Sequence, residues 1–159
     1  FTYGKVEVRA KLPSAKGSWP AIWTLGSNLE TVGWPGCGEI DIMEQLFEDF
    51  EMIQCALHTP DTHGDNTILK QVNVTNVTQN FHIYGMEWSA EKIDFFIDNN
   101  YYFTYHPELK TPGNWPYFND QYILLNIAMG GSLGGSIDPN YYKDQMEVDY
   151  VRVYQKNKF

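Results

Sequence analysis

The segment KVEVRAKL, residues 5–12, alternates charged and apolar side chains at every position. Val6, Val8, Ala10 and Leu12 form one side of this alternation, and a charged residue precedes each of them. Because successive side chains of a β-strand point to opposite faces, the pattern predicts a strand with one buried and one solvated face. The fold is therefore expected to contain a sheet that begins near the first residue.

Short runs rich in β-branched and aromatic residues recur along the rest of the chain. Turn-forming residues, such as those at 34–36, 98–100 and 112–114, separate the runs. No helical period continues for more than about two turns. The sequence therefore predicts an all-β fold, an antiparallel two-sheet β-sandwich or jelly roll. The predicted strands are residues 5–12, 21–25, 39–45, 52–58, 68–74, 82–88, 93–97, 101–105, 122–128 and 146–154.

Length and composition favour a single domain. The 159 residues, of which 43% are hydrophobic, suffice for one sizeable core. All-β sandwiches commonly run to roughly 200 to 250 residues as one domain, and this sequence enters a strand at once. We therefore expect residues 1–159 to form a single domain that is the C-terminal two-thirds of a longer one, without its N-terminal strands.

The charge of the chain excludes two classes of partner. Its 20 acidic and 11 basic residues give a formal net charge of -9, which repels phosphate backbones and anionic membranes. No apolar run approaches the roughly eighteen residues of a membrane span. We expect no nucleic acid and no membrane partner. We also expect a secreted, extracellular protein, which the sequons beginning at Asn73 and Asn76 are compatible with.

The run GEIDIMEQ, residues 38–45, places three carboxylic acids on an otherwise apolar strand. Glu39 and Asp41 share a face, whereas Glu44 would point the opposite way in a regular strand. A one-residue bulge around Ile42 and Met43 would return Glu44 to the face of the other two acids. We predict this bulge, because carboxylates belong in water unless something uses them.

Three acids on one face would suit the chemistry of a retaining glycosidase. That reaction needs two carboxyl groups about 5 to 5.5 Å apart, one to attack the anomeric carbon and one to protonate the leaving oxygen. Asp41, between the two glutamates, would hydrogen-bond the attacking group and help keep the acid protonated through like-charge repulsion. The competing interpretation is that the acids are the solvent face of an ordinary amphipathic strand.

The run at residues 38–44 resembles the catalytic signature of glycoside hydrolase family 16, in its bulge-containing laminarinase form. Further segments are similar to motifs of that family in the same order, so the resemblance covers nearly the whole chain and favours catalysis over the amphipathic strand. These segments are FTYG at 1–4, WPAIW at 19–23, WP at 34–35, FHIYGMEW at 81–88, LNIAMGG at 125–131 and MEVDYVRVYQ at 146–155.

The resemblance implies a jelly roll with a concave substrate cleft, and an endo-acting hydrolase that cuts β-1,3-glucan by double displacement. It assigns Glu39 as the nucleophile, Asp41 as its assistant and Glu44 as the general acid/base. No cofactor is required for this chemistry, and β-glucan is the expected partner. The family also has a structural calcium site, one part of which comes from strands before the position of Phe1 and the other from the position of Asp149, so Asp149 is the candidate calcium ligand.

Aromatic side chains are the candidates for contact with sugar rings. Trp34 and Trp115 lie in Gly/Pro-rich loops, where binding groups are common, and we expect both to contact substrate. For Trp19 and Trp23, sugar contact and core packing stay equally open. His58 matches a position at which the resembled family has a histidine near the cleft, and a purely structural role is equally open.

Other functions compete with a β-1,3-glucanase. The substrate could be mixed-linkage β-1,3-1,4-glucan or a marine galactan, although a sulfated galactan would call for arginine and lysine. A non-catalytic glucan-binding module is disfavoured, because clustering three acids on one strand face lowers stability without serving binding. The oligomeric state stays open.

Overall fold

The computed structural model describes residues 1–140 and 143–156, and this part of the chain is almost entirely β-structure. Two one-turn helices, α1 (Leu29–Val32) and α2 (Gly131–Gly134), and a 3-10 turn at Gly64–Asn66 interrupt the strands. The strands are β1 (Gly4–Lys11), β2 (Ser18–Gly26), β3 (Glu39–Gln45), β4 (Met52–His58), β5 (Ile68–Asn73), β6 (His82–Trp88), β7 (Ile93–Ile97), β8 (Asn100–Tyr105), β9 (Gln121–Met129) and β10 (Glu147–Tyr154).

The strands form two five-stranded antiparallel sheets. Sheet A has the order β10-β1-β6-β7-β8, and sheet B has the order β5-β4-β3-β2-β9. The apolar side chains of both sheets share one core. The predicted all-β, two-sheet antiparallel sandwich is therefore confirmed. Among the described residues, no helix is long and apolar enough to cross a membrane.

The alternating segment at residues 5–12 forms β1 and the residue after it. Val6, Val8 and Ala10 are fully buried and Leu12 is almost so. Burying one such valine contributes about 1.5 to 3 kcal/mol relative to leaving it in water. The period-two pattern thus fixes which face of sheet A meets sheet B.

One strand begins earlier than its sequence pattern indicates. β2 starts at Ser18 and includes Pro20, which pairs with Ile127 of β9. Pairing of β2 with β3 begins only at Ala21, so Pro20 stands where β2 has β9 alone beside it. A strand tolerates the missing N–H of proline in such a place. The extension brings Trp19 onto the strand.

The edge strand β10 of sheet A has apolar side chains that are incompletely covered. On β10, Val148, Val151 and Val153 are in register with the buried side chains of β1 and so face the core side. They nevertheless remain 42%, 43% and 40% exposed. Within the described residues β10 pairs with β1 alone. An exposed apolar edge strand is a template for association.

We predict that the 159-residue chain self-associates through this edge. Val151→Lys places a charge on the edge strand and should lower the associated fraction, because charged residues block edge-to-edge pairing. Light scattering after size exclusion, over a series of protein concentrations, measures this fraction. Val32→Lys on α1, where the side chain is 53% exposed, is the control and should change nothing. A chain that stays monomeric at every concentration would contradict the prediction.

Candidate active site

A bulge in β3 brings the three acids to one face of sheet B. Met43 and Asp41 pair with the consecutive residues Ile22 and Trp23 of β2, so Ile42 is the extra residue. Against β4 the register shifts between Asp41 and Glu44. The bulge predicted around residues 42 and 43 is therefore confirmed.

The neighbouring strands supply the remaining side chains of this face. Residues paired across adjacent strands point to the same side of a sheet. The acids on β3 thus share the outer face of sheet B with aromatic and amide side chains of β2 and β4. The cross-strand pairs are Glu39 with Leu25 and His58, Asp41 with Trp23 and Ala56, and Glu44 with Ala21 and Gln54.

Glu44 is held at both of its carboxylate oxygens. Trp19 Nε1 donates a 3.0 Å hydrogen bond to Oε1, and Gln54 Nε2 donates a 2.9 Å bond to Oε2. Gln71 of β5 donates in turn to Gln54 Oε1, at 3.3 Å. This chain of amides orients Glu44 from two strands away. Gln54 was not among the residues predicted from sequence, and its only signal was a polar residue within an apolar predicted strand.

Glu39 takes its contacts from the loop before β3 and from β4. Trp34 Nε1 donates a 2.6 Å hydrogen bond to Glu39 Oε2, although the Trp34 side chain remains about half exposed. His58 Nε2 lies 3.8 Å from Glu39 Oε1. The Trp34 ring lies beside His58, with centroids 5.7 Å apart. The arrangement fixes the carboxylate of Glu39 while leaving an aromatic surface open next to it.

Asp41 is the most deeply buried of the three acids, at 3% exposure. Its Oδ2 atom lies 3.2 Å from His58 Nε2 but makes no hydrogen bond of acceptable geometry within the described residues. Buried carboxylate oxygens are normally satisfied. Asp41 Oδ2 is therefore an atom in need of a proton or a cation.

Tyr117 contacts the start of β3, the strand that carries the three acids. The buried Tyr117 hydroxyl lies 3.2 Å from the backbone oxygen of Glu39 and 3.1 Å from that of His58. Its ring passes so close to Gly38 that a Cβ there would meet it at 2.9 Å, and Gly38 has a φ of 78°. Only glycine suits both conditions. Tyr117 thus ties β3 to β4 at the position of the acids.

Burial and mutual repulsion raise the pKa of two of the acids. Burial raises the pKa of Glu39 to about 7, and the nearby charge of Asp41 adds to the effect. Burial, followed by the charge of Glu44, raises the pKa of Asp41 well above its usual range. The side chain of Asp41 is 5% exposed against 18% for Glu39. Because Asp41 is the less solvated, we assign to Asp41 the proton that the two acids share, which leaves Glu39 ionised.

Four of the five residues predicted to contact a sugar lie beside the acids on the outer face of sheet B. They are Trp19, Trp23, Trp34 and His58. Whether they contact a sugar stays a prediction. Trp23 Nε1 also donates a 2.8 Å hydrogen bond to Asn126 of β9.

The prediction for Trp115 is wrong. Its side chain is fully buried in the core. Tyr105 stacks on one side of the indole at 5.7 Å between centroids, and Tyr117 meets it edge-on at 5.5 Å. No face of the ring is free for a sugar. Its Gly/Pro-rich loop folds inward because a large aromatic side chain gains more from burial than from exposure.

The surroundings of Asp149 do not fit the expected calcium site. Arg9 Nη1 lies 2.6 Å from Asp149 Oδ2, so the carboxylate is already paired with a cation. Calcium requires six to eight oxygen ligands. Within residues 1–140 and 143–156, the one group of side chains with atoms close enough to share a metal ion is Glu39, Asp41 and His58. No structural calcium site is therefore assigned at Asp149.

Comparison with known sequences agrees with this geometry. Residues 1–152 match the sequence model of Glycosyl hydrolases family 16. The chain belongs to glycoside hydrolase family 16. The resemblance seen in the sequence motifs is thereby confirmed.

Three similar proteins illustrate the range of similarity. The crystal structure of laminarinase from Flavobacterium sp. UMI-01 is 44% identical, with a TM-score of 0.94 over 98% of this chain and 68% of that one. The β-glucanase of Rhodothermus marinus is 37% identical over 98% of this chain and 58% of its own length. Keratan-sulfate endo-1,4-β-galactosidase of Sphingobacterium multivorum is 37% identical over 98% of this chain and 37% of its own length.

We predict that Asp41→Asn makes this family 16 chain more stable at neutral pH. The folded-state pKa of Asp41 lies above that of the unfolded chain, so folding binds a proton. The resulting loss of stability is absent below the unfolded pKa of about 3.9 and grows as pH rises toward the folded pKa. Asparagine mimics the protonated acid and removes this loss.

Thermal unfolding at neutral and at acidic pH tests the prediction. The midpoint of Asp41→Asn should exceed that of the wild type at neutral pH, by about 2 to 4 °C for each kcal/mol relieved, and should approach it at low pH. Asp94→Asn is the matched control, because Asp94 is also buried but pairs with Lys92 at 2.7 Å. That variant should lose stability. A lower midpoint for Asp41→Asn at neutral pH would contradict the assigned electrostatics.

Proposed function

We propose that this chain carries the catalytic centre of an endo-acting, retaining hydrolase of β-1,3-glucan. The observation that supports the proposal is the bulged strand β3, which presents Glu39 and Glu44 on one face with separate hydrogen-bond donors for each. Two carboxyl groups with different surroundings can divide the roles of nucleophile and acid between them. No cofactor is needed for this reaction.

In the first step Glu39 attacks the anomeric carbon. Glu44, in its protonated form, gives its proton to the glycosidic oxygen, the bond from that oxygen to the anomeric carbon breaks, and the leaving sugar departs as an alcohol. A covalent bond now joins Glu39 to the remaining glycosyl group. Protonated Asp41 donates to the ionised Glu39 before the attack and so holds its carboxylate in place.

In the second step Glu44, now a carboxylate, takes a proton from water. The resulting hydroxide equivalent attacks the anomeric carbon, and the bond to Glu39 breaks. Two inversions at one carbon return the β-configuration, and both glutamates regain their starting protonation. Gln54 and Trp19 keep Glu44 in position through both steps, because they bind oxygens of its carboxylate from different strands.

The aromatic surroundings support an uncharged glucan as the substrate. The rings of Trp19, Trp23 and Trp34 stand beside the acids, and sugar C–H groups pack on aromatic faces. The similarity to the Flavobacterium laminarinase points the same way. The formal charge of -9 opposes binding of a sulfated galactan. Because a polymer cannot enter a cell intact, we propose that the protein works outside the cell.

A purely glucan-binding role has less support. Asp41 is buried with an unsatisfied oxygen, and repulsion by the nearby charge of Glu44 raises its pKa. Binding a neutral sugar does not require such repulsion, whereas a nucleophile and an acid that act together do. The three-acid arrangement therefore supports catalysis.

We predict different effects for the two glutamates. Glu39→Gln should abolish turnover and preserve the fold, because the nearly isosteric amide cannot attack the anomeric carbon. Glu44→Ala should lose less rate on an aryl β-glucoside with a good leaving group, which needs little protonation, than on a polysaccharide. Added azide should restore its turnover and yield a β-glycosyl azide. Near wild-type activity of Glu39→Gln, or no effect of azide on Glu44→Ala, would contradict the assigned roles.

We predict that linear β-1,3-glucan is cut internally with retention of configuration. Proton NMR of the first product should show the β-anomer, because double displacement inverts the carbon twice. The size distribution of early products should be broad, since strand residues on an outer sheet face leave both ends of a chain free. An initial α-anomer would indicate inversion, and glucose as the sole product would indicate exo action. Cleavage of mixed-linkage glucan alone would reassign the substrate.

A further inference from the structure

The side chains of Glu39, Asp41 and His58 form a group that neither step of the proposed reaction explains completely. Their potential ligand atoms, one from each residue, all lie within 4.8 Å of one another. Glu39 and His58 are direct cross-strand partners, and Asp41 follows two residues further along β3. We propose that these three residues bind a transition-metal dication such as Zn²⁺, and that the bound ion shuts off hydrolysis.

The spacing of the ligand atoms fits a zinc ion. Zinc bonds to nitrogen and carboxylate oxygen are about 2.0 to 2.2 Å, so tetrahedral ligands lie roughly 3.3 to 3.6 Å from one another. His58 Nε2 lies 3.2 Å from Asp41 Oδ2 and 3.8 Å from Glu39 Oε1. These distances bracket the ideal value, and no two of the three ligand atoms lie more than 4.8 Å apart, so side-chain rotations can close the site.

Asp41 provides the independent sign that a cation belongs here. Only 3% of the residue is exposed, and its Oδ2 atom has no hydrogen-bond partner within the described part of the chain. A buried carboxylate oxygen without a partner is unfavourable. A dication at the position between Oδ2 and His58 Nε2 satisfies it directly.

The surroundings of His58 prepare its Nε2 atom for a metal. Thr67 Oγ1 donates its proton to the backbone oxygen of Gly64 at 2.7 Å, so Thr67 Oγ1 can itself accept a hydrogen bond. His58 Nδ1 lies 3.3 Å from Thr67 Oγ1. The proton of neutral His58 is therefore assigned to Nδ1, which leaves the Nε2 lone pair facing the two carboxylates. Metal-binding histidines have this second hydrogen bond as a rule.

The ligand types select the class of metal. One imidazole nitrogen with two carboxylate oxygens suits zinc, copper, nickel or iron, whereas calcium and magnesium prefer sites made of oxygen alone. Of the three ligands, Glu39 is the group that must be free to attack the sugar. A metal bound to Glu39 therefore blocks the first step. This inhibition rests on the proposed function, but binding of the metal does not.

Calorimetric titration of the untagged chain with Zn²⁺ tests the binding. One ion per chain is expected, with little heat from Ca²⁺ or Mg²⁺. His58→Gln and Asp41→Asn should each weaken zinc binding by at least about tenfold, a loss that even a missing hydrogen bond to one of the metal ligands can cause. His63→Gln is the matched control. His63 is also close to Trp34, at 5.5 Å between ring centroids, but lies outside the group.

Two outcomes of the titration would overturn the site. Zinc binding that survives His58→Gln unchanged would exclude His58, and an equal loss in His63→Gln would move the ion to another place. X-ray absorption of the zinc-loaded wild type provides a test that needs no variant. It should show one imidazole among oxygen ligands, and a spectrum with no histidine or with several would also overturn the proposal.

Activity measurements separate this proposal from the proposed function. If both are correct, Zn²⁺ inhibits hydrolysis of β-1,3-glucan over the concentration range in which it binds, and a chelator restores the rate. Full activity of the zinc-saturated chain would overturn the inhibitory part. Zinc binding by a chain that hydrolyses no β-glucan would overturn the proposed function and leave the metal site established.

Discussion

A single extra residue in β3 determines which face of sheet B carries Glu44. In a regular strand Glu44 would point into the core, where an unpaired carboxylate is unfavourable by several kcal/mol. The bulge places Ile42 and Met43 in succession, both buried, and returns Glu44 to the side of Glu39. The same residue therefore preserves the core and assembles the candidate active site. Bulges are used in this way beside functional sites, because they re-aim a side chain without ending the strand.

The rest of the sandwich serves to hold that strand and to direct donors at its acids. Sheet A covers the inner face of sheet B with the buried side chains of β1 and its neighbours. The outer face is then left for function. Trp19 reaches Glu44 from β2, Gln54 reaches it from β4, and Trp34 reaches Glu39 from a loop. Since three separate segments contribute, the acids are positioned by the whole sheet and not by β3 alone.

Asp41 shows how function and stability oppose each other in this fold. Its burial and the charge of Glu44 raise its pKa. The ionised form of Asp41, which water favours near neutral pH, therefore lowers the stability of the folded chain. The same burial favours the protonated form of Asp41 next to Glu39 and leaves an unsatisfied oxygen beside His58. A binding site for a proton or a metal ion is thus built from a group that lowers the stability of the fold.

The amino-acid pattern alone determined the all-β class, nearly all of the strand positions, the bulge and the three acids, because period-two alternation and its interruption are local properties of the chain. Only the tertiary structure placed Gln54 on Glu44, paired Asp149 with Arg9 and buried Trp115 between tyrosines. Those contacts depend on the register between distant strands and on which loop folds over the core. No single segment determines the strand register or the loop that covers the core, because both depend on how the apolar faces of all the strands pack together.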